Sequence, residues 1–333
     1  MNRLLSRRGE LRRLAALVRR YGTLIGFVAI LVFFWMSLPD TFMTGRNWLN
    51  ISQQVSMLTV VATSMTIVMV MGDFDLSVGS MASLAGVIAA LLFTLGYPVW
   101  AAVAIALVVG LAGGAINGVL VSIIGILPFI ATLATLTIFS GTAFLISGGK
   151  TIFGRDIPGG FSDLARGGVP LGEILGQTLK LPYLTIVAFV VFAIVWVLLE
   201  QTTFGRRLYA IGGNPEAARL SGVRVKRLRL IAFALTGLGA AVAGLMYASR
   251  VASANPTQGS GLMLTAIAAV FLGMTMSEEG EPRVHATLIG VLILGALDNG
   301  LTQMSVDSYV RDILVGLIIV AAVASSSFWK RLR

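Results

Sequence analysis

Long apolar runs alternate with short polar stretches along this chain, and most of the runs share one length. An apolar stretch of about 17 to 25 residues can cross a bilayer as a helix, because every backbone N–H then finds its acceptor within the segment. Ten runs stand out, over about 21–38, 52–71, 76–95, 99–124, 129–147, 181–199, 230–249, 262–276, 287–304 and 311–329. Two are weaker: 76–95 opens with polar residues, and 262–276 is short. The pattern predicts an all-α, polytopic membrane protein of about ten transmembrane helices, forming a single integral domain over residues 1–333.

Composition agrees. Only 12% of the residues are charged, whereas a soluble domain carries roughly 25%. Cysteine is absent, which excludes disulfides and thiolate metal sites. Seven arginines precede the first run, which ends in Ser37-Leu38-Pro39-Asp40 rather than at a small-residue cleavage site, so it reads as an uncleaved first helix. The net charge of +10 is explained by sidedness. With both termini cytoplasmic and ten alternating spans, 18 of the 25 Lys and Arg fall inside and 7 outside, as the positive-inside rule expects. Nucleic-acid binding is thereby excluded as the reason for the charge.

Sequence offers little for catalysis. Ser147-Gly148-Gly149-Lys150-Thr151 ends like a phosphate-binding loop, but Phe144 stands where that loop needs its first glycine, and the segment follows an apolar helix rather than a strand. His285 is the one histidine, and Glu278, Glu279 and Glu281 read as a solvated face. No catalytic, metal or cofactor site is expected. The longest outer stretch, Ser147 to Lys180, is rich in glycine, with Phe161–Ala165 and Leu171–Leu175 as candidate short helices. Gly110, Gly114 and Gly118, and likewise Ala240 and Gly244, line single helix faces, which suits close helix packing, a dimer interface or a moving seam.

Two polar places sit in apolar surroundings. Asp73 and Asp75 lie in Gly72-Asp73-Phe74-Asp75-Leu76-Ser77-Val78-Gly79-Ser80, either as an exposed inner turn or as a broken segment that borders water or protein. Asp298 and Asn299 fall within the ninth run. An acid there points to an inter-helix bond or ion pair, a polar pathway, or exposure at a span's end.

The stretch from Thr202 to Arg229 is basic, punctuated by glycine and placed inside. Asn214 can cap a helix, Pro215 suits its first position and Glu216 its first turn. Ala217, Ala218, Arg219 and Leu220 favour helix, and Gly222 can close it in a left-handed conformation. The residues predict a two-turn helix fringed by Arg and Lys, docking either on anionic lipid or on a protein.

Glu216-Ala217-Ala218, followed after three residues by Gly222, resembles the EAA loop of permease subunits in ATP-driven importers. TTFGRRLYAIGGNPEAARLSGVRV, DFDLSVGS at Asp73 to Ser80, Thr265 to Val270, and Asp298 to Leu301 together resemble the ribose-type sugar permeases of ATP-binding-cassette importers, from about residue 45 to the C-terminus. The resemblance implies a multi-pass subunit of the bacterial cell (inner) membrane that forms the path for a small monosaccharide or related polyol. It implies as partners a cytoplasmic ABC ATPase that binds the ATP, an external sugar-binding protein, and a second permease subunit, identical or paralogous. Asn214, Pro215, Glu216, Ala217, Ala218 and Gly222 would then couple to the ATPase, with Asp73, Asp75, Asp298 and Asn299 as candidate pathway residues. Some positions depart from the pattern: no Leu-Pro follows Gly222, Met263 and Thr265 stand where relatives carry acids, and the next inner loop reads GMTMSEEGEP. A permease for nucleosides or branched-chain amino acids, a stand-alone secondary transporter, and a membrane-embedded enzyme are the competing readings.

Overall fold

A computed structural model describes residues 22–174, 177–277 and 280–331. In chain order its helices are α1 (Gly22–Ser37), α2 (Gly45–Gln54), α3 (Ser56–Met69), α4 (Val78–Thr94), α5 (Val99–Val119), α6 (Pro128–Ser147), α7 (Gly159–Arg166), α8 (Tyr183–Trp196), α9 (Thr203–Gly213), α10 (Pro215–Leu220), α11 (Val225–Val251), α12 (Ser260–Met274), α13 (Val284–Gln303) and α14 (Ser308–Arg331). Widened π-turns extend α5 over Leu120–Ile124 and α8 over Val197–Gln201. The fold is therefore all-α, with two small pieces of sheet. Strand β1 (Ile152–Phe153) pairs antiparallel with β4 (Ser253–Ala254). Strands β2 (Gly168–Ile174) and β3 (Gln177–Pro182) form a hairpin with an irregularity at Pro170/Gly172.

The expected helix at Phe161–Ala165 falls inside α7, but the one expected at Leu171–Leu175 does not form: Leu171 to Ile174 belong to β2. A helix of five residues cannot offset the cost of its own nucleus, whereas here the pairing of Val169 with Leu181 and Pro170 with Lys180 satisfies the backbone directly.

Five helices are long and apolar enough to cross a membrane: Val99–Ile124, Pro128–Ser147, Tyr183–Gln201, Val225–Val251 and Val284–Gln303. The pair α2 and α3, bent by 48°, makes a sixth if it counts as one span. Helices α1, α4 and α12 are apolar but shorter. By length and composition the described helices thus give five or six crossings, against the ten that the runs predict. The two weaker runs coincide with two of the short helices. Irregular backbone shortens both: Gly72, at φ +79°, turns the chain before α4, and Ala252, at φ +49°, ends α11 ahead of the loop that leads to α12.

The chain divides into two compact units, Leu49–Ile267, and Met1–Trp48 with Ala268–Arg333. In the first, α11 is the organising helix and packs on α3, α4 and α5. Lipid tails offer no hydrophobic drive between helices, so close backbone approach must supply the attraction. A side chain on Gly110 would strike Ala241 and Gly237, one on Gly114 would strike Phe233 and Ala234, and one on Gly118 would strike Leu230. Gly244 meets the backbone of Ala82 in the same way. These glycines are thus spent on packing within the chain. All fourteen residues of α3 are buried, as suits a helix surrounded by others. In the second unit, Phe34, Phe42 and Ala296 form a buried cluster, the two rings 5.1 Å apart, and Gly300 lets α13 approach the face of Phe34.

Candidate functional site

The segment from Thr202 to Arg229 is more ordered than its sequence suggests. The Thr202 side chain caps α9 by accepting from Gly205 N–H. Leu208 and Ile211 are wholly buried, and Arg206 and Arg207 are exposed. Asn214 Oδ1 accepts from the N–H groups of Glu216 and Ala217, both at 3.0 Å, satisfying two donors that the start of a helix leaves free. Pro215 occupies the first turn, and Gly222, at φ +83°, follows the end of α10. Ala218 is buried, whereas Glu216, Ala217 and Leu220 face outward. Arg219 forks onto Glu216 at 3.0 and 2.6 Å, which lowers the Glu216 carboxyl below its usual range. The arrangement presents a capped two-turn helix with the Glu216–Arg219 pair, Ala217 and Leu220 outward.

Sequence reasoning found α10 and missed α9. The signal was there: Gly205, Leu208 and Ile211 recur at three-residue spacing behind a threonine cap.

Asp73 and Asp75 are 4% and 1% exposed, so the exposed-turn alternative falls. Arg229 reaches Asp73: its Nη2 donates to Oδ1 at 3.2 Å, and its Nε lies 2.7 Å from Oδ2 as an ion pair without a well-aligned N–H. Burial nevertheless outweighs the arginine and pushes the Asp73 carboxyl up to about 6. Asp75 heads a buried polar chain. Its Oδ1 accepts from the backbone N–H of Ser77 at 2.9 Å and from the Ser77 hydroxyl at 2.6 Å. Asn117 Nδ2 donates to Ser77 Oγ at 2.8 Å, and Thr135 Oγ1 donates to Asn117 Oδ1 at 2.7 Å. Burial raises the Asp75 carboxyl also, opposed by Ser77 and Asn117. The chain ties the α3–α4 turn to α5 and α6. Asn117 and Thr135 were not anticipated; a lone amide in an apolar run was their only mark.

In the other unit, Asp298 pairs with Arg311 at 2.6 Å, and Arg311 also donates to Thr302 at 2.7 Å. Asp298 thus makes an inter-helix ion pair, with its side chain partly exposed. Asn299 Oδ1 accepts from Asn47 at 3.0 Å and from Gln303 at 2.8 Å. Asp298 and Asn299 thus fasten elements within their unit, apart in sequence and unit from Asp73 and Asp75. His285 is exposed, Glu278 and Glu279 lie outside the described residues, and no group of three metal-ligating side chains occurs among the described residues.

A family model described as branched-chain amino acid transport system / permease component matches residues 47–323. The chain belongs to this family. Its members are transport permeases, not enzymes. The permease is 38% identical to the ribose import permease protein RbsC of Haemophilus influenzae over 91% of its own length and 92% of the relative's. It is 35% identical to the L-arabinose transport system permease protein AraH of Escherichia coli K12, over 91% and 89%. It is 33% identical to the D-allose transport system permease protein AlsC of the same strain, over 92% and 90%. No solved structure matches it. The family, with apolar helices of spanning length, makes the permease a multi-pass protein of the bacterial cell membrane.

Proposed function

We propose that this permease is the membrane subunit of an ATP-binding-cassette importer for a small monosaccharide or related polyol. The observation that carries the reading is similarity along about nine-tenths of the chain to permeases named for ribose, arabinose and allose. The capped helix α10, with Glu216 and Leu220 exposed, supports contact with a cytoplasmic ATPase, which binds the ATP; the permease itself holds no cofactor. In this reading Asn214 and Pro215 start the coupling helix, Glu216, Ala217 and Ala218 form it, and Gly222 ends it. An external binding protein delivers the sugar, and a second permease copy or paralogue completes the path within the lipid.

The charge distribution supports cytoplasmic N- and C-termini, with about ten crossings once the bent pair, the short helices α1, α4 and α12, and α14 are counted. Asp73, Asp75, Asp298 and Asn299 are the candidate pathway or intramembrane polar groups of this reading, and each is engaged by a protein partner within its own unit. The family description favours a second reading, import of a branched-chain amino acid. Vesicles holding the permease with its partner ATPase and binding protein decide between them. ATP-dependent uptake of labelled ribose, arabinose or allose is expected; uptake of leucine with none of these sugars would overturn the sugar reading.

A further inference from the structure

Helix α9 rests on its neighbours through two glycines seven residues apart, which places both on one face. A side chain on Gly205 would overlap the Leu199 carbonyl, in the π-turn that ends α8. A side chain on Gly212 would overlap the Val70 carbonyl and crowd Met71, at the head of the α3–α4 turn. Leu208 and Ile211, wholly buried, lie along the same side. Helix α9 is thus pressed backbone to backbone against a widened helical turn at one end and an irregular turn at the other. It has 11 residues, so it spans about 16 Å. Asn214, one residue past its end, caps α10.

The turn that Gly212 touches has few ways to absorb a push. It is irregular from Val70 to Ser77, yet Asp73 is held by Arg229 at the start of α11, and Asp75 is held through Ser77 and Asn117 to α5 and Thr135 to α6. A displacement delivered at Val70 therefore reaches α11 through one ion pair and α5 and α6 through one chain of hydrogen bonds. The other end of α9 is seated on the π-turn at Val197–Gln201, where the regular i→i−4 ladder is interrupted.

Resting on the importer reading above, we propose that α9 is a lever that turns movement of α10 into movement of the α3–α4 turn. In this device Gly212 against Val70 is the contact point, and Arg229–Asp73 is the strap that carries the motion to α11. These are positioning residues. None touches the transported solute or the ATP. What the glycines contribute is closeness: a larger residue at position 212 separates the lever from the turn without altering the face of α10.

The test uses the whole importer in vesicles, comparing Gly212→Ala, Gly213→Ala, Arg229→Gln and Arg229→Lys for ATP hydrolysed per sugar imported. Gly213 is a neighbouring control, because an added Cβ there meets nothing within 4 Å. Gly212→Ala and Arg229→Gln are expected to keep the ATPase bound and its basal hydrolysis intact, while ATP consumed per sugar rises by about tenfold or more, the scale of a typical coupling between sites. Gly213→Ala stays at the wild-type ratio, and Arg229→Lys recovers much of it. A wild-type ratio in both Gly212→Ala and Arg229→Gln would overturn the lever, as would loss of bound ATPase in both, which would mark the contacts as structural. A wild-type complex that neither binds the ATPase nor imports solute would instead remove the importer reading itself.

Discussion

Arg229 grips Asp73 across 156 residues of sequence, with Nε 2.7 Å from one carboxylate oxygen and Nη2 3.2 Å from the other. The pair joins the two segments that most mark this chain as an importer permease. One is the acidic turn at Gly72 to Ser80, the other the basic stretch that ends at Arg229. Neither segment explains itself alone. A carboxylate 4% exposed needs a cation, and a cation at the start of an apolar helix needs an acid.

That pair should have a pH signature. The Asp73 carboxyl titrates at about 6 in the fold, against 3.8 ordinarily. A carboxyl with a raised folded pKa binds its proton more tightly in the folded state, so its contribution to stability is fully present below 3.8, declines as pH rises, and is lost above about 6. Replacing it by Asn removes the slope. The stability difference between Asp73→Asn and wild type, followed by thermal unfolding in detergent, should move in the variant's favour as pH rises through that window. A difference that stays flat with pH would show that Asp73 does not titrate there.

Asn117 is the hub of the buried chain, fully enclosed and bonded on both sides. Asn117→Leu keeps the volume but takes the donor from the Ser77 hydroxyl, whereas the Thr135 hydroxyl still reaches the Ala131 and Thr132 carbonyls at 3.2 Å. Buried polar groups without partners cost about 1–3 kcal/mol apiece. A fall of about 1–3 kcal/mol in unfolding free energy is expected, with Asn117→Asp keeping the acceptor for Thr135 but losing the donor to Ser77 and adding charge beside Asp75. A change smaller than about 0.5 kcal/mol, the range of an ordinary surface substitution, would mean the chain is not structural.

Glu216 is exposed, and its carboxylate pairs with Arg219 in the same short helix. Glu216→Lys should leave folding, insertion and thermal stability as in wild type while abolishing uptake and retention of the ATPase during purification. Normal uptake by this variant would end the docking role of α10.

Asp298 and Asp307 make an internal comparison. Asp298 holds Arg311, whose side chain is largely enclosed and also serves Thr302. Asp307 is exposed and accepts from the Tyr309 hydroxyl. Because Asp298 is itself partly exposed, solvent screening limits the loss in Asp298→Ala to about 1 kcal/mol. Asp307→Ala should stay within about 0.5 kcal/mol. Equal unfolding temperatures for the two variants would remove the ion pair from the account.

Much of this protein is written locally. The apolar runs determined that the chain is helical and membrane-spanning, since a bilayer demands internal backbone pairing over a fixed length. Asn214, Pro215 and Gly222 determined the bounds of α10, because capping and left-handed turns depend on neighbours a few residues away. The tertiary structure alone decided the rest. Asp73 found Arg229 across 156 residues, and Asn117 found Ser77 across 40 and Thr135 across 18. It also decided how the glycines are used: Gly110, Gly114 and Gly118 are a plain row in sequence, but only packing against α11 shows that they serve this chain rather than a second copy. Where apolar runs broke, as before α4 and α12, hydropathy counted composition, whereas helix length was set by backbone turns. Periodicity and capping are local forces. Partners of buried polar groups are chosen by whichever helix the fold brings alongside.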